Sequence, residues 1–129
     1  MAQIKIYARE ATLARLAEPM SGVIHQCLMD AFDYPAEKRF QRFIPLREAW
    51  FLHPQDRGPD YTILEFSLFE GRSATAKRKL IHSLFDRFEA KLGIAPLSLE
   101  ITLFETPRLN WGIRGRCGDE LQLDYRVDV

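Results

Sequence analysis

The sequence is poor in the residues that mark several common kinds of protein. Its 129 residues include two cysteines, Cys27 and Cys117, too few for a disulfide framework or a four-cysteine zinc site. The three histidines lack metal-ligand spacing, and there is no HExxH motif. The glycines at positions 112, 115 and 118 are spaced by three, which does not match a Gly-rich phosphate-binding loop. These absences predict no metal centre and no dinucleotide site.

The chain also lacks an excess of charge and a long apolar run. Its 18 basic and 18 acidic side chains balance, so we expect no nucleic-acid partner and no membrane-surface partner. No apolar stretch approaches the roughly 18 residues of a membrane span. The first ten residues carry Lys5, Arg9 and Glu10 and do not resemble a signal peptide. With the low cysteine content, this predicts a reduced, cytoplasmic protein.

Hydrophobic periodicity predicts two long helices among short strands. The predicted helices extend from Thr12 to about Phe32 and from the N-cap Ser73 to about Leu92, where Gly93 is a suitable stop. We expect Pro19 to kink the first helix or weaken it locally. The predicted main strands are Gln3–Tyr7, Arg39–Leu46, Tyr61–Phe69 and Leu99–Phe104, with shorter ones at Trp50–Leu52 and Leu121–Val127.

This order contains the pattern strand, helix, strand twice. The segment Ala8–Thr12 aligns with Gly71–Thr75 at an offset of 63, which favours a duplicated unit. We predict an α+β fold, a tandem βαβ repeat with a four-stranded sheet and both helices on one face. Residues 1–129 would form one domain with halves at roughly 1–60 and 61–129. Because the strands carry apolar residues on both faces, we expect an oligomer that covers the second face.

The junction between the third strand and the second helix is the main candidate for chemistry. Gly71 permits a tight turn, and Arg72 follows it at a helix N-terminus, where we expect the side chain to face out from the sheet edge. A guanidinium in that place can bind a carboxylate through two contacts. The alternative is an ordinary surface arginine. Cys27 lies on the apolar helix face and is interpreted as a core thiol, whereas Cys117 lies in a Gly-Arg loop with no histidine partner.

The doubled βαβ layout, the FEGRSATAKRKL junction and the segment Asn110–Gly112 resemble the tautomerase superfamily. The similarity is greatest to its malonate semialdehyde decarboxylase-like and cis-3-chloroacrylic acid dehalogenase-like branches. The resemblance implies a trimer with sheets facing a central axis and cofactor-independent chemistry. It also implies small enol, 2-oxo acid or unsaturated carboxylate substrates and an amino-terminal proline as the proton-transferring group.

The family residues transfer to this chain only in part. Ala2 occupies the place of the proline, so removal of Met1 would leave a primary α-amine, a less rigid and weaker base. Arg72 matches the second arginine of these branches, and the resemblance implies that it binds the substrate carboxylate. Phe69 or Glu70 stands where these branches have their first arginine. His25 matches a substrate-holding histidine or is a structural helix residue. Lys38 replaces a water-activating acid, although Glu37 is adjacent.

Three functions remain open at this stage. The first is a weak or altered keto-enol tautomerase that uses Ala2, with Arg72, His25 and Lys38 as substrate-binding residues. The second is a non-catalytic homotrimer that binds a small carboxylate. The third is an unrelated interaction domain whose segment from Lys38 to Phe43 contacts RNA. Phe40 and Phe43 fall on opposite strand faces, which disfavours a stacking platform.

Overall fold

Four strands form one mixed sheet that carries both long helices. The computed structural model describes residues 1–129. Strands β1 and β2 are parallel, β3 and β4 are parallel, and the central pair β1 and β3 is antiparallel, in the order β2-β1-β3-β4. The bounds are β1 Ala2–Arg9, α1 Glu10–Phe32, β2 Gln41–Leu46, β3 Thr62–Phe69, α2 Ala74–Leu92 and β4 Leu99–Thr106. This arrangement confirms the predicted α+β fold of two βαβ units.

The helix α1 is longer at its start than predicted and is continuous through Pro19. It begins at Glu10, whose carboxylate suits the positive N-terminal end of a helix. It ends at Phe32, and the C-cap Asp33 adopts a left-handed conformation with φ of 50°. Its buried face includes Met20, Ile24 and Leu28, and Cys27 is also buried there, as expected of a core thiol.

The ends of α2 are set by the two residues that the sequence predicted. The Ser73 hydroxyl accepts a hydrogen bond from the Ala76 amide at 3.1 Å, which satisfies one of the free amides of the first turn. Gly93 ends the helix at φ of 69°, a conformation that glycine adopts without a steric penalty. The N-cap Ser73 therefore directly follows Arg72, and its hydrogen bond fixes the backbone there.

The core lies between the helices and one face of the sheet. Alternate residues of β1 and β3 point to this face and are buried: Ala2, Ile4, Ile6, Ala8, Leu64, Phe66 and Leu68. The opposite face is less apolar than predicted, because Lys5 is paired with Glu65 there, next to the pair of Tyr7 and Ile63. Neither helix is both long enough and apolar enough to cross a membrane.

Two predicted short strands are wrong. Glu48–Trp50 is a 3₁₀ turn, and Leu52 lies in coil with its side chain exposed. Leu121–Val127 forms no strand either, because Leu121 directs its carbonyl to the Arg108 guanidinium at 2.5 Å instead of to a neighbouring strand. The tail instead contains a small hairpin that the sequence analysis missed, with β5 at Gly112–Ile113 and β6 at Arg116–Cys117.

Candidate functional site

The amino terminus is buried at the start of a central strand. Strand β1 pairs with β3 from Ala2 onward and with β2 from Ile4 onward, and both Met1 and Ala2 are buried. The Ala2 amide donates a hydrogen bond to the Tyr34 hydroxyl at 3.0 Å. The Met1 α-amine donates to the Tyr125 hydroxyl. Tyr34 and Tyr125 pack edge to face with ring centroids 5.4 Å apart. Two phenols therefore surround the first two nitrogen atoms of the chain.

Arg72 is buried beside this amino terminus, contrary to the prediction that it faces out from the sheet edge. Its residue exposure is 5%, and its guanidinium lies 4.9 Å from the centroid of the Phe32 ring. One terminal nitrogen donates to the Phe69 carbonyl at 3.2 Å. The Nε and Nη2 atoms are buried without a hydrogen-bond partner in the chain. Since buried guanidinium donors are normally satisfied, this edge of Arg72, which has the Tyr125 phenol as a neighbour, is the candidate contact for an anionic ligand.

The carboxyl-terminal segment explains why Arg72 is enclosed. The Ser73 amide donates to the Val129 carbonyl at 3.0 Å, so the end of the chain crosses the junction. Gly71 adopts φ of 131°, and a Cβ atom there would lie 3.1 Å from the Val127 side chain. Glycine thus allows both the backbone turn and the close approach of the final residues. The outward direction predicted for Arg72 did not take account of this cover.

The surrounding cations change the protonation of the amino terminus. Burial, and then the positive charges of Arg72, Arg108 and Lys38, lower the pKa of the Met1 α-amine from its ordinary 8.0 to about 4. The amine is therefore the neutral free base near pH 7. Burial likewise lowers the pKa of Arg72 and raises the pKa of the Tyr34 and Tyr125 phenols, which stay protonated.

Lys38 lies beside the amino terminus, whereas His25 is separated from it by Tyr34. Lys38 lines a cavity of about 210 Å³ together with Met1, Phe69 and Tyr125, and its Nζ lies 6.0 Å from the Tyr125 ring centroid. His25 is buried behind Tyr34, with ring centroids 6.4 Å apart and Nε2 bonded to the Ala36 carbonyl at 2.7 Å. The structure thus groups Lys38, Arg72 and the amino terminus directly, and His25 through Tyr34.

A family model described as "Tautomerase enzyme" matches residues 38–114, more than half of the sequence. The chain belongs to the tautomerase family. The matched segment begins at Lys38 and contains Arg72 and Arg108, so three of the cations around the amino terminus lie within it.

Solved structures share the tautomerase fold over nearly the whole chain. A malonate semialdehyde decarboxylase matches with a TM-score of 0.79 and 22% identity, covering 92% of this chain and 99% of that chain. A fused 4-OT solved as an asymmetric trimer matches at 0.78 and 22%, covering 91% and 96%. A member of the cis-3-chloroacrylic acid dehalogenase family matches at 0.76 and 14%, covering 89% and 82%.

Sequence reasoning missed three residues of this candidate site, Tyr34, Arg108 and Tyr125. Tyr34 follows the end of α1, Arg108 starts a 3₁₀ turn after β4, and Tyr125 lies in the tail. Arg108 donates to the carbonyls of Gly118 and Leu121 and so holds the tail against the sheet. None of the three stands in a periodic element, and only the charge of Arg108 could have drawn attention to it.

Two other clusters are less suited to hold a ligand. A groove of about 490 Å³ at the far end of β1 contains three arginines. Arg15 is already paired with Asp60 at 3.2 Å and Arg9 with Glu48 at 3.6 Å, so little free positive charge remains. Cys117, Asp119 and Glu120 present ligand atoms within 4.8 Å of one another, but all three are exposed and the carboxylates raise the pKa of the thiol. We assign no metal to them.

Proposed function

We propose that the protein binds a small 2-oxo acid, its enol or an unsaturated carboxylate and catalyses a weak keto-enol tautomerisation. The observation that carries this proposal is the burial of the amino terminus beside Arg72, whose Nε and Nη2 atoms lack partners. A guanidinium edge of that kind fits the two oxygens of a carboxylate. Family membership supports the same chemistry.

In the proposed reaction, the α-amine of Ala2 is the proton carrier after Met1 has been removed. Arg72 holds the substrate carboxylate, and Lys38 adds positive charge at the mouth of the cavity. The neutral amine accepts the enol proton, and the resulting ammonium returns a proton to the substrate carbon, so the amine is regenerated. His25 remains a candidate carboxylate contact through Nδ1, which is buried without a partner in the chain. The mechanism requires no cofactor.

Removal of Met1 is part of this proposal. Met1 lines the cavity and bonds to Tyr125, so its departure would enlarge the cavity beside Lys38 and Tyr125. The charge of Arg72 acts on the same end of the chain. The new terminus at Ala2 lies in β1, paired with Leu68. The new α-amine is therefore held by the strand at the edge of the enlarged cavity. Retention of Met1 would leave the cavity partly filled and move the amine by one residue.

A second candidate is a carboxylate-binding protein without catalytic activity. It is favoured by the low pKa of about 4 of the amine in the presence of Met1, because so weak a base accepts protons poorly. Primary amines also rotate about the Cα–N bond, unlike the ring nitrogen of proline. Both candidates share the Arg72 site and differ only in proton transfer.

We also propose that the protein is a homotrimer. The open face of the sheet carries apolar residues, among them Ile63 and Phe104, and a related fold is solved as a trimer. Both candidate functions are compatible with this assembly. No nucleic acid or membrane takes part in the proposal, and the cytoplasm is its proposed location.

Ketonisation of a small enol such as phenylenolpyruvate separates the two candidates. The native terminus is first determined by mass spectrometry, and initial rates are then measured for the wild type and for Ala2→Pro. Weak wild-type ketonisation supports the enzyme. Activity that appears only in Ala2→Pro supports the binding protein, because the pocket is then competent and lacks only a suitable base.

Arg72→Ala tests the site itself. We expect it to weaken binding of a 2-oxo acid at least about tenfold, as loss of a charge-assisted bidentate contact implies. Arg78→Ala is the matched control, since Arg78 is an exposed residue of α2. Unchanged binding in Arg72→Ala would contradict the site assignment.

A further inference from the structure

We propose that the Tyr34 hydroxyl anchors the α-amine of Ala2 by a hydrogen bond and so replaces, without a ring, the fixed direction that a terminal proline would have. The observation is the 3.0 Å hydrogen bond from the Ala2 nitrogen to this hydroxyl. The catalytic consequence rests on the proposed function, whereas the contact itself does not.

The position of the amine follows from the sheet. Ala2 is fully buried and pairs with Leu68 on β3, so its nitrogen stays in place when the preceding residue is removed. Tyr34 is 4% exposed and stands directly before Pro35, whose ring restricts the backbone there. Both partners are therefore rigidly held. The hydrogen bond does not depend on a mobile side chain.

A primary amine needs such an anchor. Its nitrogen can rotate about the Cα–N bond, which spreads the lone pair over three staggered directions. One hydrogen bond to Tyr34 selects among these directions and leaves the remaining valences of the nitrogen to face the cavity. Proline achieves the same restriction covalently. The hydrogen bond to Tyr34 thus gives Ala2 the directional restriction that a terminal proline has from its ring.

The chemistry of the phenol suits this role. Burial raises its pKa, so Tyr34 stays a neutral hydroxyl that can accept from the ammonium. The groups that face the amine are the cations Arg72, Arg108 and Lys38 and the second phenol Tyr125, and Asp124 lines the same cavity. None of the three cations can accept a hydrogen bond from the amine. Tyr34 therefore supplies an acceptor that the cations lack.

The test begins with the titration of the α-amine by NMR in chains whose loss of Met1 is verified by mass. We expect Tyr34→Phe to lower the pKa of the amine by roughly 0.5 to 1 unit, because the ammonium loses an acceptor. Tyr61→Phe is the matched control, since it removes a buried phenol that directly precedes β3, at the end of that strand away from Ala2. An identical titration in Tyr34→Phe and the wild type would overturn the proposal, whether or not the protein is an enzyme.

A double-mutant cycle tests the positioning role. In the Ala2 chain, Tyr34→Phe should lower kcat about fivefold or more with little change in KM. In the Ala2→Pro chain, the same substitution should change kcat by less than about twofold, because the ring already directs the nitrogen. An equal loss of kcat in both backgrounds would overturn the positioning role. Absence of turnover in both would contradict the proposed catalysis, and the titration would still decide whether Tyr34 anchors the amine.

Discussion

At the scale of single residues, the charges around the amino terminus determine its chemistry. Arg72, Arg108 and Lys38 come from three separate segments and act on one nitrogen. Together with burial they keep that nitrogen neutral, the form in which an amine can accept a proton. They also provide positive charge for an anionic ligand. In the proposed function, the same residues would favour binding of an anionic substrate and weaken the base that acts on it.

Lys38→Asp tests this balance. Replacing a nearby cation by a carboxylate favours the ammonium form, so we expect the pKa of the α-amine to rise by about one unit. NMR titration of the amine measures it. Lys91→Asp makes the same change of charge at an exposed position in the last turn of α2 and should leave the titration unchanged. A pKa that stays constant or falls in Lys38→Asp would show that Lys38 does not act on the amine.

At the scale of elements, the start of α2 and the end of the chain form one unit. Gly71 provides the turn, Ser73 caps the helix, and the Ser73 amide binds the Val129 carbonyl. The final residues then cover Arg72. The strand-to-helix junction is recognisable in the sequence, but its cover comes from more than 50 residues later in the chain.

Gly71→Ala should disturb this cover. Alanine is strained at φ of 131°, and its Cβ would approach the Val127 side chain, so the free energy of unfolding should fall by about 1–3 kcal/mol. Binding of a 2-oxo acid should also weaken, as calorimetry would measure. Gly93→Ala is the control: it also has a positive φ, with open space around it, so it should lower stability and leave binding intact. Equal binding by both variants would contradict the role of the tail.

At the scale of the whole molecule, the two βαβ units place both helices on one face and leave the other face open. The interpretation of these units as halves at roughly 1–60 and 61–129 stays a prediction. The open face is more polar than the sequence pattern indicated. A trimer interface on it would therefore combine apolar contacts with paired charges.

Phe104→Asp tests the proposed trimer. Phe104 lies on the open face of β4 with 49% of its surface exposed, and a carboxylate there should disrupt association. Light scattering should give the mass of three 15.0 kDa chains for the wild type and a smaller species for the variant. Leu97→Asp changes an equally exposed apolar residue in a 3₁₀ turn outside the sheet and should remain trimeric. A monomeric wild type would refute the assembly.

The sequence by itself determined the two helices, the four main strands and the family, because periodicity, the Ser73 cap and the Gly93 stop are local signals. It also proposed Arg72 and Lys38 as site residues, and both lie near the amino terminus. Only the tertiary structure decided that Arg72 is buried and that Tyr34, Arg108 and Tyr125 surround the amino terminus. These residues lie in irregular segments, where no period predicts direction, and they meet only when the tail crosses the sheet edge. Their hydrogen bonds join residues as much as 124 positions apart, which no local pattern encodes.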